Sequence, residues 1–142
     1  MIFTNSDGGA RGNPGPGAIG VVIRSEGKVL TKYSAFIGKR VTNNQAEYEG
    51  LIMALEIASQ FTKEVTCILD SELIVKQLLG EYKVKNQTLL KLFLKVQKLQ
   101  EKFDKIKYEH VSRWDKFQQM ADELLNEELN KRGYYKSKNY KE

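Results

Sequence analysis

The chain of 142 residues has one cysteine, one histidine and no long hydrophobic run. The single cysteine, Cys67, excludes an internal disulfide and is typical of a reducing compartment, so we expect a cytoplasmic protein. No segment approaches the ~20 apolar residues that a membrane span needs. Because the first residues already form a strand-like run, we expect no signal peptide.

The composition is that of an ordinary globular domain, with 41% hydrophobic and 29% charged residues. The net charge of +5 indicates a polyanionic partner only weakly. Without repeats or linkers, the sequence predicts one domain over residues 1–131. Residues 132–142 lack periodicity and are predicted to be a mobile tail. Its interleaved tyrosines and lysines suit stacking on single-stranded nucleic acid, and a frayed terminus is the alternative.

The N-terminal stretch from Ile2 to Gly17 organises the rest of the chain. A β-prone run ends at Asp7, and a loop rich in glycine and proline follows, so a ligand can approach bare backbone there. Strand alternation places Phe3, Asn5 and Asp7 on one face. The later segment Gly15-Pro16-Gly17-Ala18-Ile19-Gly20 fits a dinucleotide-binding pattern. That pattern must open a helix, whereas this one leads into a strand-like run, so we disfavour a nucleotide cofactor.

Periodicity and turn residues predict the other elements. The predicted strands cover residues 18–24, 29–37, 64–70 and 105–111. The predicted helices begin near Asn44, where Asn44-Gln45-Ala46-Glu47 suggests a capping box, and cover residues 71–79, 87–103 and 117–131. On the helix at 87–103, Lys91, Lys95, Lys98 and Lys102 share a face that is either solvated or binds nucleic acid. The pattern predicts an α/β domain with a mixed sheet and helices on both faces.

Four acidic residues stand out by position: Asp7, Glu47, Asp70 and Asp122. Asp7 and Asp70 end two predicted strands, and adjacent parallel strands would bring them together. Glu47 and Asp122 border the buried faces of their helices. Converging carboxylates repel one another unless a cation neutralises them, and hard oxygen ligands favour Mg²⁺ or Mn²⁺ over zinc. A pair of such ions suits displacement at phosphorus.

Each carboxylate also has a purely structural interpretation. Glu47 is a candidate for the N3 position of the capping box. Asp70 is a candidate N-cap for the helix that begins near Ser71. Asp122 is a candidate solvated helix residue. Taken singly, these signals are therefore weak.

The motifs around these carboxylates are more specific. They are Asp7-Gly8-Gly9-Ala10-Arg11-Gly12-Asn13-Pro14-Gly15-Pro16-Gly17, Thr42-Asn43-Asn44-Gln45-Ala46-Glu47-Tyr48, Leu69-Asp70-Ser71-Glu72, His110-Val111-Ser112-Arg113 and Ala121-Asp122-Glu123-Leu124. In this order, and to about Leu129, the chain resembles type 1 ribonuclease H.

The resemblance implies a ribonuclease H-like fold, a five-stranded mixed sheet with three antiparallel strands followed by two parallel ones. It implies an endonuclease that hydrolyses the RNA strand of RNA–DNA hybrids to 5′-phosphate and 3′-hydroxyl ends, with little sequence preference. Asp7, Glu47, Asp70 and Asp122 would hold two Mg²⁺ ions, with Mn²⁺ able to substitute. We expect a stand-alone monomer without an N-terminal hybrid-binding module, and double-stranded RNA is a possible further substrate.

By the same resemblance, His110 assists proton transfer and product release; a strand-end histidine without a role is the alternative. The backbone amides of Gly8 and Gly9 would read 2′-hydroxyl groups. The full set of expected nucleic-acid contacts is Gly8, Gly9, Asn13, Thr42, Asn43, Asn44, Gln45, Ser71, Lys83 and Lys85.

The chain departs from the family pattern in several places. The segment from His110 to Asp122 is about two residues longer than usual, which makes Arg113 an alternative to His110. Gln118 stands where the family has asparagine, and Glu72 where some members have glutamine. A non-catalytic hybrid-binding module is the rival hypothesis, but such a module would be expected to lose one or more of the carboxylates.

Overall fold

The computed structural model describes residues 1–136, which form one mixed five-stranded sheet with four helices. The elements in chain order are β1 (Ile2–Ala10), β2 (Gly15–Ser25), β3 (Lys28–Val41), α1 (Asn43–Ala58), β4 (Glu64–Leu69), α2 (Glu72–Leu78), α3 (Gln87–Gln100), β5 (Lys105–His110) and α4 (Lys116–Lys131). The strand order is β3-β2-β1-β4-β5. Strands β1, β2 and β3 pair antiparallel, and β4 pairs parallel with both β1 and β5. The predicted fold class is confirmed.

Strand β1 does not end at Asp7, as predicted, but continues to Ala10. The ladder with β2 runs on through Asp7↔Gly20 to Ala10↔Gly17, so glycines serve as strand residues here. The parallel pairing of β1 with β4 nevertheless stops at Asn5↔Ile68. Asp7 therefore lies just beyond the last β1–β4 pair, at the same edge as Asp70, which follows the end of β4.

The predicted capping box at Asn44 and Glu47 is wrong. The observed capping box lies two residues earlier, with Thr42 as N-cap and Gln45 at N3. Thr42 Oγ1 accepts a hydrogen bond from Gln45 N at 3.1 Å, and Thr42 N donates to Gln45 Oε1 at 2.7 Å. Threonine and glutamine satisfy this box as well as asparagine and glutamate do. Glu47 therefore has no capping role, and its carboxyl group is available to the cluster of acidic residues.

The helices cover both faces of the sheet. Helices α1, α2 and α3 pack with β4 around a core that includes Leu51, Leu55 and Val96, each fully buried. The predicted apolar stripe faces this core. Helix α3 ends at Gln100 and not at residue 103, so Lys91, Lys95 and Lys98 lie on it and Lys102 follows it; all four are exposed. Helix α4 packs on the opposite face, where Leu125 and Leu129 contact Ala18. Among residues 1–136, no helix combines the length and the hydropathy that crossing a bilayer demands.

The segment after α4 begins in an ordered conformation. Gly133, at φ +87°, ends the helix, and Tyr134 N donates to Leu129 O at 2.9 Å. The Tyr134 ring stacks on Phe36 of β3, with centroids 5.8 Å apart. The predicted mobile tail thus starts with a packed turn, and its last six residues, 137–142, lie outside the described part of the chain.

Candidate active site

Gly8 brings helix α1 close to β1. A Cβ atom at this position would lie 2.0 Å from the carbonyl oxygen of Ala46, a distance that no real side chain tolerates. Because glycine has no Cβ, the backbone of α1 rests directly on the strand. Glu47 follows Ala46, so this contact carries the Glu47 carboxyl to Asp7.

Gly20 provides the equivalent contact on the other face. It pairs with Asp7 across the β1–β2 ladder, and a Cβ atom here would lie 2.0 Å from the carbonyl oxygen of Ala121 in α4. Asp122 follows Ala121 and is thereby brought to the same strand residue. Two glycines therefore set the approach of the two helices that supply Glu47 and Asp122.

Three of the predicted carboxylates meet at the edge of the sheet. Asp7, Glu47 and Asp70 each offer an oxygen, and these oxygens all lie within 4.8 Å of one another. Asp7 Oδ1 accepts a hydrogen bond from Gly8 N at 2.9 Å. Glu47 Oε2 and Asp70 Oδ1 are buried and accept no hydrogen bond. Buried carboxylate oxygens without donors are unstable unless a cation binds them, so this donor set fits Mg²⁺ or Mn²⁺.

The electrostatics of the cluster are those of crowded carboxylates. Burial and then the neighbouring Asp70 carboxylate raise the pKa of Asp7 well above its usual range. Burial and then Asp7 raise the pKa of Glu47 well above its usual range, and burial raises that of Asp70. Asp122 raises all three pKa values, which places its charge beside the cluster.

These shifts predict an unusual pH dependence of stability. In EDTA, the free energy of unfolding should fall as the pH rises from about 4, the ordinary carboxyl pKa, through the raised pKa values of the folded state. The folded protein holds protons in this window that the unfolded chain has released, so stability is greatest at the acid end. Each such proton contributes up to about 1.4 kcal/mol per pH unit. Urea denaturation at several pH values measures the slope.

The same titration with saturating Mg²⁺ is the control, since a bound cation removes the need for those protons. We expect a smaller slope there. A stability in EDTA that rises over the whole window would contradict the proposed crowding.

Asp70 is not the cap of helix α2, because Ser71 has that role. Ser71 Oγ accepts a hydrogen bond from Ile74 N at 3.3 Å.

His110, one of the two residues predicted to assist proton transfer, ends β5 and pairs there with Leu69 of β4. The charge of His110 lowers the pKa of Asp70, a smaller effect than burial. His110 thus lies on the Asp70 side of the cluster, and both it and Arg113 are exposed.

Five of the ten residues predicted to bind nucleic acid line one open groove of about 490 Å³. Its lining residues are Asn13, Thr42, Asn43, Asn44, Gln45, Asn86, Thr88 and Leu89. The predicted contacts did not include Asn86 and Thr88. Their only signal in the sequence is an Asn-x-Thr pattern of the kind used for glycosylation, which does not point to this role.

Four of the five amide side chains of this groove, those of Asn13, Asn43, Gln45 and Asn86, share one hydrogen-bonding pattern. Asn13 Oδ1 accepts from Asn43 N at 2.9 Å, and Asn43 Oδ1 accepts from Ala10 N at 2.9 Å. Gln45 Oε1 accepts from Thr42 N, and Asn86 Oδ1 accepts from Leu89 N at 3.0 Å. Because each amide oxygen is used by backbone, the amino groups remain to face a ligand. A surface of donors is suited to phosphate oxygens, which only accept.

The remaining predicted contacts lie elsewhere. Lys83 and Lys85 are exposed in the loop that leads to Asn86. Gly9 is half-buried on the side of α4, where a Cβ atom added to it would lie 3.5 Å from Leu125 Cδ1. Gly8 differs from its prediction, since α1 covers it and its N–H already donates to Asp7. The Gly8 amide is therefore not free to read a 2′-hydroxyl.

Comparisons with known proteins extend these observations. A family model described as reverse transcriptase-like matches residues 5–128. The bifunctional protein Rv2228c of Mycobacterium tuberculosis is 40% identical over 131 residues, which is 90% of this chain and 35% of that protein. Ribonuclease HI of Halobacterium salinarum is 39% identical over 125 residues, 87% of this chain and 61% of that protein. The chain thus spans only about a third to three fifths of these curated relatives.

Among solved structures, LC11-RNase H1 in complex with an RNA/DNA hybrid superimposes with a TM-score of 0.86. Its sequence is 43% identical to this one, and the match covers 93% of this chain and 99% of that chain.

Proposed function

Since the chain belongs to the type 1 ribonuclease H family, we propose that it hydrolyses the RNA strand of RNA–DNA hybrids with the help of two divalent metal ions. The products would be 5′-phosphate and 3′-hydroxyl ends. The observation that carries this proposal is the cluster of Asp7, Glu47 and Asp70, whose oxygens lie within 4.8 Å of one another and include two buried oxygens without donors.

The chain's own residues supply the metal site. Asp7, Glu47, Asp70 and Asp122 are the proposed ligands, with Asp7 at the centre because both helices are brought to it. These carboxylates would hold a pair of Mg²⁺ ions, which would supply activation of a water molecule and stabilisation of the leaving 3′ oxygen. The retention of all four carboxylates argues against the rival hypothesis of a hybrid-binding module without activity.

The groove of amide donors is the proposed binding site of the nucleic-acid backbone. It is lined by Asn13, Asn43 and Gln45, and the exposed Lys83 and Lys85 are proposed as further contacts outside it. Contacts of this kind read phosphate and sugar rather than base identity, so little sequence preference is expected. LC11-RNase H1, solved with RNA/DNA hybrid, supports a hybrid as the substrate.

His110 is the proposed group for proton transfer near the leaving oxygen, because its charge acts on Asp70. Arg113 is the alternative, since the loop between them and α4 is longer than in the family pattern. We further propose a monomer acting in the reducing cytoplasm, which agrees with the buried free thiol of Cys67. Double-stranded RNA is proposed only as a second substrate.

The test is cleavage of an end-labelled RNA–DNA hybrid in Mg²⁺ and separately in Mn²⁺. Duplex DNA and duplex RNA of the same sequence are run alongside. We expect cutting of the RNA strand of the hybrid, with 5′-phosphate ends identified by phosphatase sensitivity. Tight hybrid binding without cutting in either metal would refute the enzyme and favour the binding module.

A further inference from the structure

The loop of residues 111–115, between β5 and α4, is held beside the carboxylate cluster at both of its ends. At its start, Val111 N donates at 2.9 Å to the backbone oxygen of the residue that precedes Asp70. Just after it, in the first turn of α4, Gln118 Nε2 donates at 2.7 Å to the backbone oxygen of the residue that precedes Asp7. The loop therefore crosses the edge of the sheet from beside one carboxylate to beside another.

Trp114 lies in this loop on a backbone that is fixed by hydrogen bonds. Trp114 N donates to Ser112 Oγ at 3.2 Å, and Asp115 N donates to Ser112 O at 3.0 Å. Asp115 Oδ2 then accepts from Phe117 N and Gln118 N and caps α4. Trp114 is nevertheless 68% exposed. An ordered loop thus presents a large aromatic ring to the solvent.

Arg113 lies against this ring. The guanidinium carbon of Arg113 is 4.6 Å from the ring centroid of Trp114, a cation–π contact that helps to fix the orientation of the ring. Arg113 and Lys116 are exposed, whereas the carboxylate between them in sequence, that of Asp115, is engaged as the N-cap of α4. The loop therefore offers an open aromatic surface next to positive charge.

A nucleotide has the chemistry that complements this pair. Its base and sugar can pack on an aromatic ring, and its phosphate accepts hydrogen bonds from a guanidinium group. Three residues of chain separate Trp114 from Val111, so their Cα atoms lie at most about 11 Å apart. One strand of a duplex advances about 3.4 Å per nucleotide. A strand bound at the carboxylates therefore reaches the loop within a few nucleotides.

We propose that Arg113 and Trp114 form a second nucleic-acid contact, in which the Trp114 ring packs on a nucleotide beside the cleavage site and Arg113 donates to its phosphate. The proposal rests on the function proposed above, because it requires nucleic acid at the carboxylates. The contact is separate from the groove of amide donors, whose lining includes no residue of this loop. In this role Arg113 binds substrate, and proton transfer stays with His110.

The first test uses the fluorescence of Trp114, which is the one tryptophan of the chain. An end-labelled RNA–DNA hybrid is added to the Asp7→Asn protein in Mg²⁺, which should bind the hybrid without cutting it. We expect the tryptophan emission to change over the same hybrid concentrations at which the anisotropy of the label reports binding. Quenching of the emission by acrylamide should decrease, because a packed nucleotide covers the ring.

Two forms of the hybrid distinguish the group that packs on the ring. In a blunt-ended hybrid the base faces are covered by neighbouring bases, so a response to it would assign the contact to a sugar. A response only to a hybrid with a single-stranded flank would assign the contact to an unpaired base. Either response supports the proposal, and the absence of both overturns it.

The second test introduces Trp114→Ala into the Asp7→Asn protein. Loss of the ring should weaken hybrid binding by about tenfold, and Trp114→Phe should restore most of the affinity because it retains an aromatic face. Phe61→Ala is the matched control, since Phe61 is 49% exposed in the turn after α1. Helix α1 has 16 residues, so this turn is about 24 Å from the end of the helix that borders the groove. The control should bind hybrid with unchanged affinity.

The outcomes separate the two proposals. If the Asp7→Asn protein does not bind the hybrid and the wild-type protein does not cut it, the proposed function fails. If the hybrid binds without changing the emission or the quenching of Trp114, the second contact alone is refuted. Unchanged affinity in Trp114→Ala would also refute it, as would an equal loss of affinity in Trp114→Ala and Phe61→Ala.

Discussion

Asp7→Asn should abolish cleavage of an RNA–DNA hybrid while making the protein more stable. We expect the rate in Mg²⁺ to fall by roughly a thousandfold or more, since metal ions supply several kcal/mol of transition-state stabilisation and each 1.36 kcal/mol is a factor of ten. In EDTA near neutral pH, the free energy of unfolding should rise by about 1–2 kcal/mol, because one charge leaves a crowded, buried cluster. Single-turnover cleavage and urea denaturation measure the two effects.

The opposite signs distinguish loss of chemistry from loss of fold. The asparagine retains Oδ1, which accepts from Gly8 N, and its amino group can donate to Glu47, so the local packing is preserved. Asp104→Asn is the control, since Asp104 is exposed in the turn before β5. The control should change neither quantity. Near wild-type cleavage by Asp7→Asn would place the chemistry elsewhere.

Gly8→Ala is expected to be severely destabilising although it adds a single methyl group. Its Cβ would lie 2.0 Å from the Ala46 carbonyl oxygen, and backbone cannot yield as a side-chain tip can. Helix α1 must move away from β1, at a cost of about 3 kcal/mol or more in the free energy of unfolding. Glu47 moves with the helix, and a displacement of about 1 Å can reduce a rate by about a hundredfold.

Gly27→Ala provides the matched comparison. Gly27 lies in the exposed turn between β2 and β3, and an added Cβ there meets nothing within 4 Å. The free energy of unfolding should change by no more than about 0.5 kcal/mol, and the cleavage rate should be unchanged. Urea denaturation and hybrid cleavage of the two variants, side by side, give the result. Equal stability of the two variants would show that the helix does not depend on this contact.

The sequence predicts the fold because its periodic signals are strong and mutually consistent. The apolar stripe of α3 clearly indicates a helix, and the β-branched run of β2 clearly indicates a strand. The proximity of Asp7 and Asp70 follows from one rule, that adjacent parallel strands end at the same edge. These predictions depend on short-range pattern and on topology, both of which a single sequence contains.

Details that depend on contacts between distant residues could not be predicted. The sequence predicts a capping box at Asn44 and Glu47, whereas the structure has it at Thr42 and Gln45, a choice that the pattern of residue types alone does not make. Likewise, β1 was ended at Asp7 because glycine usually interrupts strands. The hydrogen bond from Asn5 Nδ2 to Gln118 Oε1 could not be predicted, because the two residues are 113 positions apart.

The contacts at Gly8 and Gly20 also separate the stability of the apolar core from the spacing of the carboxylates, two properties that usually have to be optimised together. Backbone-to-backbone contact is independent of which apolar side chains fill the remaining interior, so the spacing of the carboxylates does not depend on core composition. An engineer can therefore replace leucines and valines to raise heat resistance without redesigning the catalytic centre. Gly8 and Gly20 are among the interior positions that such a library must leave constant, together with Gly50, where a Cβ atom would lie 2.8 Å from the Asp7 carbonyl oxygen.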